Sequence, residues 1–326
     1  MSEFAGTEKQ ESAKRATDAA ERAAKVWEDF DQLVSHDVTP ENPWETNGDT
    51  VTYKSDQDLL QQLLAVPLHH EVDWQSGLPA KSVDVWLAHE LRRAGFEHED
   101  VWPRANAPRV MPHDVSEFVK QLTKDLRLPV QARIDEGRIK GGVLPTDAKI
   151  LGKHYEKQVD VVMARWSRGP ELMISGKRMG SSLSNNALNR VEESYGDAHN
   201  LRGRFPLAAI GYVIVVRSSA IEESPVPAQR LFDLVAKLGR DSMGYDATAV
   251  VVPHWEDDLP GDRPIVTLRE DLGVPAELHI NRFLETMVKA VVSRVPINTH
   301  PSAERKLREV EMQTGNGTVI PVVPTR

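Results

Sequence analysis

The segment at residues 206–218, PLAAIGYVIVVRS, is continuously apolar through its middle and most constrains how this 326-residue chain can fold. A strand without alternating polar positions has to be covered on both faces, as in the sheets of α/β proteins. Shorter apolar segments at 159–166, 171–177, 247–253 and 264–268 are bounded by turn residues and predict further strands. Helical patterns separate these segments, so the sequence predicts an α/β fold in which helices flank a mixed sheet.

Changes in composition divide the chain into three regions. Residues 1–50 form an acidic extension, in which a charged tail at 1–12 precedes an alanine-rich helical arm. The tail is predicted to be disordered, and a stretch with prolines and a glycine at 38–52 is predicted to be a linker. Short helical patterns with proline-rich joints make residues 51–143 a mainly helical N-terminal region. Residues 144–326 contain the predicted strands and form the α/β core.

Several helices are predicted within the α/β core. The first has Thr146 as its N-cap candidate and leads directly into the first strand. The patterns place these helices at residues 146–158, from Ser181 or Ser184 to Asn200, at 228–241 and at 276–294.

The sequence contains no cysteine, which excludes disulfides, zinc fingers, iron–sulfur clusters and thiol nucleophiles. Its apolar segments are shorter than the roughly 20 residues that a membrane-spanning helix needs. The N-terminal residues are charged throughout and lack the apolar stretch of a signal peptide. We therefore expect a cytoplasmic protein without a membrane partner.

The net charge of −9 by itself argues against a nucleic-acid partner. The acidity is local, however, because residues 1–60 contain 14 Asp and Glu against 6 Lys and Arg, a balance of −8. All other residues together carry a charge of −1. From Arg133 to Arg190 the chain has 11 basic and 6 acidic residues, so its middle part can face a polyanion.

Two predicted strands bring a carboxylate and a lysine to one edge of the sheet. The strand at 159–166 carries Asp160 near its start, and a short turn joins it to a strand with Ser175 and Lys177 near its end. If the two strands pair as a hairpin, Asp160 lies near Lys177 because antiparallel partners run in opposite directions. Alternate residues share a face of a strand, so Glu171, Ser175 and Lys177 are expected to point the same way.

The helix after the second strand supplies another carboxylate. At 100° per residue, Leu188, Val191 and Tyr195 form its inward apolar stripe. Glu192 lies about 40° from Leu188 on this wheel and is expected to lean toward the end of the lysine-bearing strand. Glu193 lies about 140° away and is expected to face outward.

Acidic and basic residues in this arrangement suit the hydrolysis of phosphodiesters. Two carboxylates, Asp160 and Glu192, can hold Mg²⁺, which takes oxygen ligands and keeps several waters. The ion stabilises charge on the phosphoryl oxygens and lowers the pKa of a bound water, while Lys177 assists the attacking water. Glu156, one turn before Asp160 on the predicted helix, is a further carboxylate for a second metal or for supporting contacts.

The order helix, strand with Asp160, strand with Lys177, helix and long apolar strand resembles the core of the PD-(D/E)XK nuclease superfamily. The stretch GKRMGSSLSNNALNRVEESYGDAHNLRGRFPLAAIGYVIVV is similar to the core of bacterial restriction-endonuclease-like proteins, and the resemblance covers roughly residues 145–220. It implies a restriction-endonuclease-like fold with Mg²⁺ as cofactor. It also implies a sequence-specific endonuclease that cuts double-stranded DNA as a homodimer, with residues 51–143 serving recognition or dimerisation.

The sequence departs from the family pattern at Ser175, where the family usually has an acidic residue two positions before the lysine. One subgroup of type II restriction enzymes has Ser-x-Lys at this place and takes the missing carboxylate from the next helix. Glu192 lies on that helix with fourteen residues between it and Lys177, so the resemblance and the helical wheel indicate the same residue. Glu171 is an alternative, but about 20 Å of extended strand separates it from Lys177. The sequence leaves open whether Glu192, Glu193 or Glu171 replaces the missing acid at Ser175.

Residues around the predicted site suit contact with DNA, since arginine pairs with phosphates and guanine edges and asparagine with adenine. The DNA-binding candidates are Arg178, Asn185, Asn186, Asn189, Arg190, Arg202 and Arg204. The sequence leaves two other functions open. One is a repair, recombination or RNA-processing nuclease of the same fold, and the other is a DNA-binding protein whose nuclease site is degenerate at Ser175.

Overall fold

The computed structural model describes residues 2–34, 41–74, 76–137, 139, 144–179, 183–256 and 264–313, with side chains for all of these except 2–16 and 184–186. Their helices are α1 (Ser2–Val34), α2 (Gln57–His69), α3 (Leu78–Arg93), α4 (His113–Gln121), α5 (Lys124–Asp135), α6 (Leu183–Arg202), α7 (Ser218–Glu223), α8 (Pro225–Arg240), α9 (Ile280–Arg294) and α10 (Pro301–Glu311). Their strands are β1 (Trp44–Asn47), β2 (Thr50–Tyr53), β3 (Val101–Trp102), β4 (Ala148–Leu151), β5 (Glu156–Val159), β6 (Val161–Arg165), β7 (Gly169–Met179), β8 (Ala209–Val216), β9 (Ala247–Val251), β10 (Pro253–His254) and β11 (Thr267–Leu268).

Five strands form the main sheet of the described residues, in the order β3-β6-β7-β8-β9. β6 runs antiparallel to β3 and β7, whereas β7, β8 and β9 run parallel to one another. Every residue of β8 is buried, which confirms the prediction of a strand covered on both faces. The chain is thus an α/β protein with a mixed five-stranded sheet flanked by helices.

Helices cover both faces of this sheet. On one face, α2, α3 and α9 pack with Val213 and Val215 of β8 in a core that includes Trp86. On the other face, α6 and α8 pack with Tyr212 and Ile214 in a second core. Alternate residues of β8 belong to different cores, as the period-two geometry of a strand requires. Within the described residues, none of the helices is long and apolar enough to cross a membrane.

The strands β4 and β5 form a hairpin at residues 148–159, where the sequence pattern predicts a helix over 146–158. The helix prediction is wrong because a tertiary contact overrides the local pattern. The side chain of Asn200 on α6 accepts hydrogen bonds from the backbone N–H groups of His154 and Tyr155 in the hairpin turn. Glu156, which the prediction placed on this helix, therefore lies on strand β5.

Two predictions for the acidic extension are also wrong. α1 already begins at Ser2, although the sequence predicts a disordered tail at 1–12. An alanine-rich helix that is anchored at one end, here by the buried Val26 and Phe30, extends through favourable residues beyond its anchor. The described part of the predicted linker at 38–52 contains most of the β1–β2 hairpin.

The mainly helical region at 51–143 also contributes to the main sheet. β3 pairs with β6, so a strand from this region forms one edge of the sheet. α3 packs against β6 and β7. Side chains of α3 consequently reach the strand that carries Lys177.

Candidate active site

Asp160 lies in the short connection between β5 and β6, beside the second half of β7. Its Oδ2 atom accepts a hydrogen bond from the backbone N–H of Gly176 at 2.8 Å. The antiparallel register explains this position, because Val161 lies opposite Ile174 in the neighbouring strand. The structure thus brings Asp160 to the residue directly before Lys177, as the hairpin prediction requires.

A second carboxylate, Asp84 of α3, faces the same place. Gly176 has no side chain, and a β-carbon built on it would lie 3.3 Å from Oδ1 of Asp84 and 3.8 Å from Oδ2 of Asp160. Nζ of Lys81, one turn earlier in α3, lies 2.9 Å from Oδ2 of Asp84 and 3.7 Å from Oδ1 of Asp160. The two carboxylates border a small space over Gly176, and we call them the Asp84–Asp160 pair.

The burial of Asp84 and the closeness of Asp160 change the proton affinity of Asp84. Burial and the nearby charge of Asp160 raise the pKa of Asp84 to about 7. Burial alone would lower the pKa of Lys81, but the charges of Asp84 and Asp160 raise it above its ordinary value. Lys81 therefore stays charged, while Asp84 readily gives up its proton to a competing cation.

On the opposite face of β7, Lys177 contacts Glu193 of α6. Nζ of Lys177 donates to Oε1 of Glu193 at 3.0 Å, and Arg190 donates to Oε2 at 3.0 Å. Nζ of Lys157 in β5 lies 3.8 Å from Oε1 of Glu193 and 2.5 Å from Oδ2 of Asp197. Partial burial alone would raise the pKa of Glu193, but the hydrogen bond and charge of Lys177 hold it below its ordinary value. We call these five side chains the Lys177 cluster.

The inward face of α6 differs from the predicted one. Leu188 and Tyr195 are 45% and 47% exposed, whereas Ala187, Ser194 and Ala198 are buried. Small inward side chains let the helix approach the sheet closely, and the large side chains then lie at its rim. The helix is turned by about one residue, or about 100°, relative to the predicted wheel.

The rotation of α6 decides which carboxylate meets Lys177. Glu193, which the wheel turned outward, makes the contact. Glu192, which the wheel turned inward, has an exposed side chain. The structure therefore replaces Glu192 by Glu193 as the carboxylate that the helix supplies.

The other predicted catalytic residues lie in three different surroundings. Ser175 is buried on the same face of β7 as Lys177. Glu171 lies at a β-bulge, which turns it away from that face, and it accepts a hydrogen bond from Arg168 at 2.8 Å. Glu156 is exposed on β5 and points away from the Lys177 cluster, because its neighbour at position 157 points into it.

The residues predicted to contact DNA are spread over several surfaces. Those exposed on or just after α6 are Asn189, Arg190 and Arg204. Asn185 and Asn186 belong to α6, but their side chains lie outside the described residues. The guanidinium of Arg178 lies over the ring of Trp74, 5.2 Å from its centroid, on the face of β7 opposite to the lysine.

Arg202 is buried and bound within the protein. Its guanidinium donates hydrogen bonds to the carbonyl oxygens of Ala208 and Gly244 and to Oδ2 of Asp246. Asp246 also pairs with Arg294 of α9. Arg202 therefore ties the end of α6 to the start of β9, and we assign it this structural role in place of the predicted contact with DNA.

We expect an Arg202→Ala variant to lose about 2 to 4 kcal/mol of unfolding free energy, because Asp246 and two carbonyl groups lose a buried partner. Arg204→Ala is the matched control, since Arg204 is exposed and its removal should change the unfolding free energy by no more than about 0.5 kcal/mol. Urea unfolding followed by circular dichroism measures both values. Equal values for the two variants would contradict the structural role of Arg202.

Besides Asp197, three charged residues near the site are missing from the sequence-based prediction. A signal for two of them exists, because Asp84 interrupts the apolar run VDVW and Lys81 lies one helical turn before it. A charge on the buried face of an amphipathic helix requires a partner or a function. The third, Lys157, could not be predicted, because its segment has the pattern of a helix. Only the alternation of side chains along a strand directs Lys157 toward α6.

The oxygen atoms of the Asp84–Asp160 pair fit a magnesium ion. Mg²⁺ is usually bound through one or two carboxylates, with waters and substrate phosphates as the other ligands. Across the described residues, no three or more histidine, cysteine, aspartate or glutamate side chains are grouped closely enough to hold a metal. The pair thus suits a magnesium ion that binds together with a phosphate substrate, rather than one enclosed by protein ligands alone.

Comparisons with known proteins give no match: no family model, no curated protein and no solved structure matches this chain. The arrangement of the chain's own side chains is therefore the basis for its proposed function.

Proposed function

We propose that this protein is a Mg²⁺-dependent endonuclease that hydrolyses phosphodiester bonds in double-stranded DNA, built on a PD-(D/E)XK core of the restriction type. One observation carries the proposal: Asp84, Asp160 and Glu193 meet β7 at residues 176–177, where Lys177 lies. Phosphodiester hydrolysis needs oxygen ligands for a divalent ion and a cation beside the attacked phosphate. Carboxylate oxygens and the ammonium of Lys81 lie together over Gly176, and Lys177 follows on the opposite face of the strand.

The order of the elements supports the same class. An antiparallel pair, β6 with β7, is followed by α6 and by β8, which runs parallel to β7. These are the strands and the helix of the arrangement that the sequence resembles. The predicted helix at 146–158 is a hairpin, and α3, which lies earlier in the chain and packs against β6 and β7, contributes Asp84.

Asp84 and Asp160 are the residues that would hold the magnesium ion. When bound, the ion would stabilise negative charge on the phosphate oxygens and lower the pKa of a bound water. The hydrogen bond from the N–H of Gly176 fixes the orientation of the Asp160 carboxylate. Lys81 lies between the two carboxylates and neutralises part of their charge.

Lys81 supplies positive charge on the face of the Asp84–Asp160 pair, and Lys177 supplies it on the opposite face of the same strand end. The ion pair with Glu193 holds the ammonium group of Lys177 in place at the edge of the sheet. Because the pKa of Glu193 is held below its ordinary value, this carboxylate stays ionised at neutral pH. We assign to Asp84 the metal-binding role predicted for Glu192 and to Glu193 the positioning of Lys177. Ser175 occupies the strand position where the family usually has an acid.

Double-stranded DNA is the partner that this proposal requires, and a homodimer is the form that we expect to cut it. One site cleaves one strand, and a twofold-symmetric dimer presents a second site to the other strand. The exposed side chains of Asn189, Arg190 and Arg204 lie on the same helix as Glu193 or directly after it. Of the residues that the sequence predicts to contact DNA, these three are the ones that we expect to face the duplex.

The proposal is tested by incubating purified protein with methylated and unmethylated plasmid DNA, in Mg²⁺ or in EDTA, and separating the products on a gel. We expect discrete fragments that form only with Mg²⁺. Cleavage restricted to gapped, flapped or RNA substrates would favour a repair or RNA-processing nuclease. DNA binding without any Mg²⁺-dependent cleavage would favour a degenerate site, for which Ser175 is the structural reason. If the protein neither binds nor cleaves nucleic acid, the proposal as a whole is wrong.

A further inference from the structure

The tip of the β4–β5 hairpin is fixed to the second half of α6 by Asn200. The buried side chain of Asn200 accepts hydrogen bonds from the N–H groups of His154 at 2.8 Å and Tyr155 at 3.2 Å, and donates one to the carbonyl oxygen of Tyr155 at 3.0 Å. Its backbone carbonyl accepts a fourth hydrogen bond from the N–H of Lys153. Gly152 permits this contact, because a β-carbon there would lie 2.2 Å from Nδ2 of Asn200. The tip is therefore positioned on α6 before any ligand binds.

The hairpin tip and α6 together present one continuous surface. We call it the tip patch, and it consists of Lys153, His154, Tyr155, Tyr195, His199 and Arg204. The rings of Tyr195 and His199 lie 4.4 Å apart. Lys153 lies over Gly203, directly before Arg204, since its Cδ atom is 2.8 Å from where a β-carbon of that glycine would be. His199 is partly buried, and the other members of the patch are exposed.

The exposed charges of the tip patch are positive, although the whole chain has a net charge of −9. Within residues 152–155 and 195–204 the single acidic residue is Asp197. This carboxylate is buried and pairs with Nζ of Lys157 at 2.5 Å, so it adds no negative charge to the surface. The hydroxyl of Tyr155 donates to Oδ1 of Asp197 at 3.0 Å, so the groups of the patch that suit the phosphates of a nucleic-acid backbone are the cations Lys153 and Arg204.

We propose that the tip patch holds the DNA backbone on one side of the cleaved bond. The inference rests on the proposed nuclease function, because it takes the end of β7 at residues 176–177, which Asp160 and Glu193 contact, as the point of cleavage. A helix rises 1.5 Å per residue, so His199 lies about 9 Å along α6 from Glu193, and Arg204 lies beyond it. Phosphates of one strand advance about 3.4 Å per nucleotide, so the contacts begin about three nucleotides from the cleaved bond.

The position of the patch also explains why the hairpin is fastened to α6 by four hydrogen bonds. A flexible hairpin would lose conformational freedom on binding DNA, and this loss would weaken the affinity. A hairpin that is already held in place contributes its lysine, Lys153, without that cost. The same strand that ends the hairpin carries Lys157 into the Lys177 cluster, so one element supplies both the site and the neighbouring surface.

The test is the salt dependence of DNA binding by a Lys153→Ala/Arg204→Ala double variant. A fluorescein-labelled DNA duplex is titrated with full-length protein at KCl concentrations between about 50 and 200 mM, over which the affinity for DNA changes strongly. Ca²⁺ replaces Mg²⁺, and the fluorescence anisotropy of the duplex is measured. The slope of log K against log salt should fall by about 1.8 in magnitude, and binding at the lowest salt should weaken about tenfold. A Lys153→Glu/Arg204→Glu variant should weaken binding further. Thermal unfolding at the parent's temperature shows that the variants are folded.

The matched control is Lys237→Ala/Arg240→Ala on α8, which removes the same charge from two side chains that are each 61% exposed. The control should keep the slope and affinity of the parent protein. An equal loss in both double variants, or the parent's slope in the tip-patch variant, would overturn the inference. If the parent cleaves DNA while the tip-patch variant keeps the parent's slope, the patch alone is refuted. If the parent binds only RNA, or no nucleic acid, the inference and the proposed function both fail.

Discussion

A Glu193→Gln variant is expected to cleave DNA about a thousandfold more slowly than the parent protein, whereas Glu192→Gln is expected to cleave at the parent's rate. A bound metal ion and the charges that surround it stabilise a phosphoryl-transfer transition state by several kcal/mol, and about 4 kcal/mol corresponds to a thousandfold in rate. Glutamine keeps the shape of the side chain at position 193 but removes the charge that holds Lys177. Single-turnover cleavage of a plasmid or a labelled duplex, at saturating protein, measures both rates.

The Glu193→Gln and Glu192→Gln variants are a matched pair, because the two residues are adjacent in α6 but make different contacts. Glu193 accepts hydrogen bonds from Lys177 and Arg190, whereas Glu192 lies about 100° around the helix from it, with an exposed side chain. Asp160→Asn and Lys177→Met are expected to match the loss seen with Glu193→Gln, because all three residues act at the same end of β7. Loss of activity in Glu192→Gln but not in Glu193→Gln would restore the original helical wheel and contradict the placement of α6.

The parts of the fold that the sequence predicts are those that depend on local patterns. β8 is predicted because its apolar run leaves no exposed face, and it is buried throughout. The approach of Asp160 to β7 is predicted because a short turn and a strand period of two fix the register of a hairpin. Neither inference requires knowledge of what packs against the sheet.

The parts that the sequence does not predict depend on distant contacts. The β4–β5 hairpin is held by Asn200, which follows it by more than forty residues. The face of α6 is decided by small residues such as Ala187 and Ala198, which a wheel of large apolar side chains overlooks. Asp84 reaches Asp160 only because α3 packs on the sheet, so sequence spacing alone does not bring these two carboxylates together.

Replacing Asp84 by asparagine is expected to make the metal-free protein more stable than the parent at pH 8 and to remove its response to Mg²⁺. The pKa of Asp84 is raised to about 7 in the folded protein, whereas an unfolded chain has an aspartate pKa of about 3.9. Between these two values the folded state binds more protons, so the parent's unfolding free energy falls as the pH rises through this range. Asparagine does not titrate and keeps an oxygen that can accept the hydrogen bond from Lys81, so this loss disappears.

The size of the effect follows from the same linkage. One pH unit of full proton difference is worth about 1.4 kcal/mol, so from pH 5 to pH 7 the parent should lose about 2 to 3 kcal/mol relative to Asp84→Asn. Urea unfolding in EDTA at several pH values measures this difference. Asp58→Asn makes the same change of charge at an exposed position of α2 and should follow the parent's pH dependence.

The effect of Mg²⁺ on the unfolding free energy shows whether the Asp84–Asp160 pair binds a metal ion or is only a pair of neighbouring acids. A cation that binds the folded protein raises its unfolding free energy in proportion to the logarithm of its concentration over Kd. At pH 8 the parent should therefore regain stability in Mg²⁺, because the ion takes the place of the missing proton between Asp84 and Asp160, while Asp84→Asn should not. Since this measurement needs no DNA and no cleavage, it tests the metal site independently of the nuclease proposal. Equal stabilisation of both proteins by Mg²⁺ would place the ion elsewhere and leave the Asp84–Asp160 pair without its proposed role.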